Sequence, residues 1–92
     1  MTAAPEVGVT LPAALRALFP GCPARHLVRG GSVAALIDAL DAAWPGMRAR
    51  LCDGRPALRP HIAVYVGEER ATLRTPVPDG VEVAIITAIS GG

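Results

Sequence analysis

One stretch of this chain repeats at helical spacing, and most of the remainder alternates or turns. In "SVAALIDALDAAWPG" the apolar residues Val33, Leu36, Ile37, Leu40 and Trp44 recur at intervals of three and four, so they share one face of a helix. Asp38 and Asp41 fall on the opposite face, where solvation suffices for them. Gly30-Gly31 breaks the chain beforehand, Ser32 stands where an N-cap oxygen accepts from an early backbone N–H, and Pro45-Gly46 ends the run. A single amphipathic helix has one apolar stripe to bury. A sheet is the element that can bury it.

The flanking segments supply strands. "VGVTL" places Val7, Val9 and Leu11 on one side at period two, "RHLVRG" is a shorter and less patterned strand, and "HIAVYVG" turns Ile62, Val64 and Val66 inward. "VEVAIIT" closes the order with Val81, Val83 and Ile85 on one face. Between them, "PAALRALFPG" reads as a loop or short helical turn bracketed by Pro12 and Pro20. "MRARLCDGRPALRP" reads as a crossing segment with a turn at Asp53-Gly54. After a turn at Gly67-Glu68-Glu69, "ATLR" reads as a short edge strand, and "PVPDG" turns the chain into the last one. The expectation is an α+β fold: a mixed four- to five-stranded sheet packed on one main helix, with residues 1–6 a flexible N-terminus, 7–88 the domain and 89–92 a flexible tail.

Ninety-two residues suffice for one small domain. Its only aromatic residues are Phe19, Trp44 and Tyr65, so the core must rest on Val, Ile, Leu and Ala. Nine basic against eight acidic side chains give no electrostatic case for nucleic acid or an anionic membrane as partner. No run approaches the roughly 20 apolar residues of a membrane span, and "MTAAPEVGVT" lacks the basic start of a signal peptide. The chain is thus expected in the cytoplasm, with Cys22 and Cys52 as reduced thiols.

Its C-terminus, "EVAIITAISGG", runs from a hydrophobic strand directly into small residues and two glycines. A carboxylate is a poor electrophile, so using one chemically requires activation inside another enzyme's active site, most simply as an acyl-adenylate made from ATP. A thin tail is needed to reach such a site. Glycine has no Cβ and permits close backbone approach, and the five residues beyond Thr87 can span roughly 16–18 Å when extended. On the last strand's other face, Ala84, Ile86 and Ala88 follow Glu82. There Ile86 either joins an exposed docking patch or tucks under a loop.

The element order and the closing stretch "TPVPDGVEVAIITAISGG" resemble the ubiquitin-like β-grasp sulfur carriers of the MoaD/ThiS family. Asp79-Gly80, "VEVAII" and terminal Gly91-Gly92 carry most of the likeness, while the crossing segment is most similar to the subgroup that includes the carrier for cysteine biosynthesis. Thr87 stands where many relatives have Pro, and the stretch between Val66 and Thr75 is shorter than in that subgroup.

The resemblance implies a carrier and not an enzyme. A ubiquitin-activating-enzyme-like adenylyltransferase would adenylate Gly92, a sulfur donor would displace AMP to leave a terminal thiocarboxylate, and an acceptor biosynthetic enzyme would consume that sulfur. Gly91, Ser90 and Ile89 would thread the partner's site, with Ile86, Ala88 and Phe19 on the docking surface. No permanently bound cofactor and no maturing protease is implied, and the carrier would be a monomer alone or a heteromer with its acceptor. Alternatives are the small subunit of molybdopterin synthase, a ubiquitin-like protein modifier and a plain interaction module.

Cys22, His26, Cys52 and His61 form a nominal ligand set, but Cys-x₃-His and Cys-x₈-His do not match a zinc finger or ribbon, so no metal is expected. All nine basic residues are arginines. Codon bias explains that, as does a carrier that avoids amines able to attack its own activated end. Arg55, Arg59, Arg70 and Arg74 either cluster to meet an acidic partner or scatter as solvated charges.

Overall fold

In a computed structural model, residues 6–54 and 57–87 are described. The elements run β1 (Glu6–Thr10), α1 (Ala13–Arg16), β2 (Arg25–Arg29), α2 (Val33–Ala43), α3 (Met47–Leu51), β3 (Ile62–Val66), β4 (Glu69–Ala71) and β5 (Glu82–Thr87). Five strands form one mixed sheet in the order β2-β1-β5-β3-β4. β5 lies parallel to β1, with Gly8 opposite Glu82 and Thr10 opposite Ala84, and antiparallel to β3, with Ile62 opposite Thr87. The two outer pairs, β1 with β2 and β3 with β4, are antiparallel.

The helices cover one face of that sheet. α2 buries Val33, Leu36, Ile37 and Leu40 in the same cluster as Val7, Val9, Val64, Val83 and Ile85, and α3 adds the fully enclosed Met47 and Leu51. Among the described residues the buried set is wholly apolar. Period-two strands and a period-3.6 helix therefore deliver one continuous apolar seam, as the sequence pattern requires.

The N-terminus of α2 is fully bonded. Ser32 Oγ accepts from Ala35 N at 3.2 Å and the Ser32 carbonyl from Leu36 N at 3.0 Å. The remaining early donors, Val33 N and Ala34 N, reach the carbonyls of Thr75 (3.1 Å) and Leu73 (3.0 Å). Donors that a helix leaves unpaired at its start are thereby satisfied by the loop following β4, which fixes that loop against the helix.

Three details depart from the sequence reading. The crossing segment holds a helix, α3, whose start is held from outside: Asp41 Oδ1 accepts from Gly46 N (3.1 Å) and Arg48 N (3.0 Å), while Gly46 takes a left-handed φ of 101°. Asp38 pairs with Arg48 at 2.7 Å, so neither acid is merely solvated. The edge strand starts two residues earlier than "ATLR". Gly67, at φ 62°, and Glu68 make a two-residue turn, so pairing resumes at Glu69 opposite Val66. It stops after Ala71, because Thr72 N bonds Thr75 Oγ1 (2.9 Å) and bends the chain toward α2.

Gly30 is buried where the exit of β2 meets this helix; a Cβ there would stand 3.0 Å from Leu36 N and 3.1 Å from the Ala35 carbonyl carbon, both backbone atoms. Leu36→Ala is expected to lower the unfolding free energy by about 2–5 kcal/mol through the cavity it leaves, read as a lower urea midpoint with unchanged slope. Gly30→Ala should also destabilise, although it adds an apolar group to the core.

Candidate functional site

The last strand is the central one, and its end projects past its neighbour. Ladder contacts with β1 end at Ala84, whereas those with β3 continue through Ile85, Ile86 and Thr87. β5 therefore ends, at Thr87, in the middle of the sheet, on the side where β1 finishes and β2 and β3 begin. Ala88, Ile89, Ser90, Gly91 and Gly92 lie outside the described residues.

The face of the sheet away from the helices presents, in register, Leu27, Gly8 and Glu82 in one row, Arg25, Thr10, Ala84, Tyr65 and Arg70 in the next, and Ile86 with Ala63 near the end of β5. Ile86 is 43 % exposed and Leu27 65 %, so Ile86 is not tucked away from solvent. Leu27 was not singled out by the sequence, although the alternation of "RHLVR" puts it opposite in sense to the buried Val28. Phe19 sits elsewhere. It packs against the core near Gly46, with a Phe19 ring carbon 3.7 Å from where a Gly46 Cβ would be, and it lines a groove with Trp44.

An ion pair spans this face. Arg25 Nη2 donates to Glu82 Oε2 at 2.7 Å and Arg25 Nε to Oε1 at 3.2 Å, a two-point clamp from β2 to β5 across the intervening β1. The residue beneath it is Gly8, where a Cβ would stand 2.6 Å from Glu82 Oε2. A glycine in mid-strand is thus accounted for: its missing side chain leaves the path for the clamp. The bonds from Arg25 favour the charged carboxylate and hold Glu82 below its ordinary value.

The other reactive groups read as structural. Cys22 Sγ lies 3.5 Å from His26 Nε2, which is also 2.8 Å from the Pro23 carbonyl, and the imidazole stands edge-on to Trp44. Burial raises the Cys22 thiol above its usual value, against a smaller lowering by Arg16, and burial likewise raises Cys52. Both are protonated at neutral pH, which makes them weak nucleophiles. Among the described residues no third ligating side chain joins either cysteine in a metal-binding group.

The sequence model of the ThiS family matches residues 9–92, from near the end of β1 through the terminal glycines. The chain belongs to the ThiS family. No curated protein matches it. Among solved structures it is similar to a chain of the Amycolatopsis orientalis BexX/CysO complex, at 31% identity over 94% of this chain and 99% of that one, with a TM-score of 0.83. It is similar to Mycobacterium tuberculosis CysO, described as an antigen, at 29% identity over 90% of this chain and 99% of that one, with a TM-score of 0.82. The H. volcanii small archaeal modifier protein 1 aligns at 26% identity over 94% of this chain and all of that one, with a TM-score of 0.78. The fold is accordingly the ubiquitin-like β-grasp of the sulfur-carrier type.

Because Glu82 titrates low in the folded state, the stabilisation from its pair is fully present above the ordinary glutamate value and is lost as pH falls through the folded one. Both partners are largely exposed, so the effect on stability is small and screened by salt. An NMR titration of the Glu82 carboxyl should show a midpoint below the ordinary glutamate value that rises in Arg25→Gln. Gly8→Ala should raise it as well, with little loss of stability, since flexible side-chain ends can move away from the new methyl.

Proposed function

We propose that the protein carries sulfur at Gly92 for a biosynthetic acceptor enzyme. The observation that supports this most directly is the family match extending through Gly91-Gly92, on a chain whose last described strand, β5, is the central one of the sheet. In the proposed cycle, a carboxylate oxygen of Gly92 attacks the α-phosphorus of ATP in an activating partner and pyrophosphate leaves. A sulfide-level donor then adds to the acyl carbon, AMP departs, and the C-terminus becomes a thiocarboxylate. Its sulfur is the nucleophile delivered to the acceptor.

In this reading the chain is a co-substrate whose own side chains dock and orient. Ile86 and Leu27, together with Ala88, supply apolar contact on the open face, and Ile89, Ser90 and Gly91 thread a partner's site. Among the described residues no catalytic constellation competes with that role: the thiols are buried, and the Arg25–Glu82 pair bridges strands. No helix among the described residues is long and apolar enough to cross a membrane. The similarity of the crossing segment to the cysteine-biosynthesis subgroup favours a cysteine-forming acceptor over molybdopterin synthase.

A second reading, a protein modifier whose Gly92 ends in an amide to a target lysine, draws on the likeness to the small archaeal modifier protein. It uses the same first step and differs in the nucleophile that takes the acyl group.

Intact-mass measurement of the protein recovered under non-oxidising conditions, followed by C-terminal fragmentation, should find an oxygen-to-sulfur exchange confined to Gly92. Deleting Gly91 and Gly92 should abolish it while leaving the urea midpoint unchanged. A tail left unmodified after incubation with ATP, sulfide and candidate activating enzymes would overturn the carrier reading. Branched peptides bearing a Gly-Gly remnant on other proteins would favour the modifier.

A further inference from the structure

The near-neutral net charge conceals an uneven distribution of arginine. Arg25, Arg29 and Arg48 each pair with a carboxylate, those of Glu82, Glu6 and Asp38. Beside β4, a groove of about 390 Å³ has Arg59, Arg70 and Arg74 among its lining residues and no acidic residue. Its floor is apolar, built from Leu58, Ile62 and Leu73. Arg59 is steadied by a 3.0 Å bond from its Nε to the Ala49 carbonyl. Among the described residues, no carboxylate pairs with Arg70 or Arg74, and both are exposed. Arg59 is shared with a second acid-free groove of about 290 Å³ that includes Arg50 and His61. His61 immediately precedes Ile62, the residue opposite Thr87. The two grooves together thus extend from the β4 edge to the residue beside the end of β5.

We infer that this groove is a docking site for an acidic segment of a partner protein whose carboxylates alternate with apolar side chains. A bare inorganic anion would meet the arginines but leave the apolar floor uncovered. Nucleic acid would meet the charges too, but no aromatic ring lines the groove beside β4 to stack on a base. An acidic and apolar peptide satisfies both: its carboxylates pair with the rim, which speeds encounter and fixes register, and its apolar residues cover the floor. This docking involves no step of the Gly92 chemistry, so it can stand or fall separately from the sulfur-carrier reading.

The test uses the full chain and a short fluorescent peptide of alternating glutamate and leucine, followed by anisotropy and by amide chemical shifts. Saturable binding is expected, weakened by added salt, with shifts centred on residues 57–62 and 70–74. Arg70→Glu combined with Arg74→Glu should weaken it at least about tenfold; if charge reversal compromises folding, Arg70→Gln with Arg74→Gln replaces it and should weaken binding in the same direction. The proposal is overturned if the folded variants bind like the parent, or if shifts gather on the open sheet face around Ile86. It also fails if a peptide with serine in place of leucine, or pyrophosphate, binds equally well, or if a single-stranded oligonucleotide of equal charge binds more tightly.

Discussion

The parallel ladder between β1 and β5 is the contact on which the arrangement depends. It brings the beginning and the end of the described chain side by side in the middle of the sheet, and Glu6 N reinforces it by donating to Asp79 Oδ1, 73 positions away. Parallel neighbours require a crossover, and here the long excursion between the strands contains every helix as well as the β3–β4 hairpin. The helices close one face. The other remains open, with the exit of the last strand at its edge and the Arg25–Glu82 clamp spanning β2, β1 and β5.

Function in such a molecule is a matter of presentation. On the carrier reading proposed above, the sheet holds the root of a segment that a partner reaches, and the surfaces around that root select the partner. Two kinds of surface lie near it. The open face is apolar at Ile86 and Leu27 and carries the Arg25–Glu82 and Arg29–Glu6 ion pairs, while the groove beside β4 is lined by arginines and by no acidic residue. An apolar face and an arginine-lined groove pose different demands on a partner, and the proposed carrier could use both.

Much of the fold was legible in the sequence because it rests on local periodicity. Val7 and Val9, Val83 and Ile85, and the helix stripe from Val33 to Leu40 occupy the buried positions their spacing assigns. What escaped was held by distant atoms. The five residues of α3 give too little periodicity to declare a helix, and the carboxylate capping them comes from Asp41, in the preceding helix. The start of β4 followed from the φ of Gly67, and its end from a loop pulled onto the N-terminus of α2. At the site, Ile86 was visible from strand alternation, whereas Leu27 and the clamp above Gly8 needed the strand order. Phe19 joined Trp44 because α1 returns the chain toward the α2–α3 elbow, a contact no spacing rule encodes.

The central position of β5 bears on the order in which the molecule is made. This strand is among the last parts of the described chain to be synthesised, yet it pairs between two strands that precede it, and its pairing with β1 closes a loop of nearly the whole domain, the kind of long-range contact that slows folding. Until it inserts, β1 and β3 expose edges that can pair with other chains. A partner that recognises the sheet face around the exit of β5 therefore finds no binding surface on an incomplete chain. If the proposed activation uses that surface, it is restricted to molecules that have finished folding, a form of proofreading intrinsic to the topology.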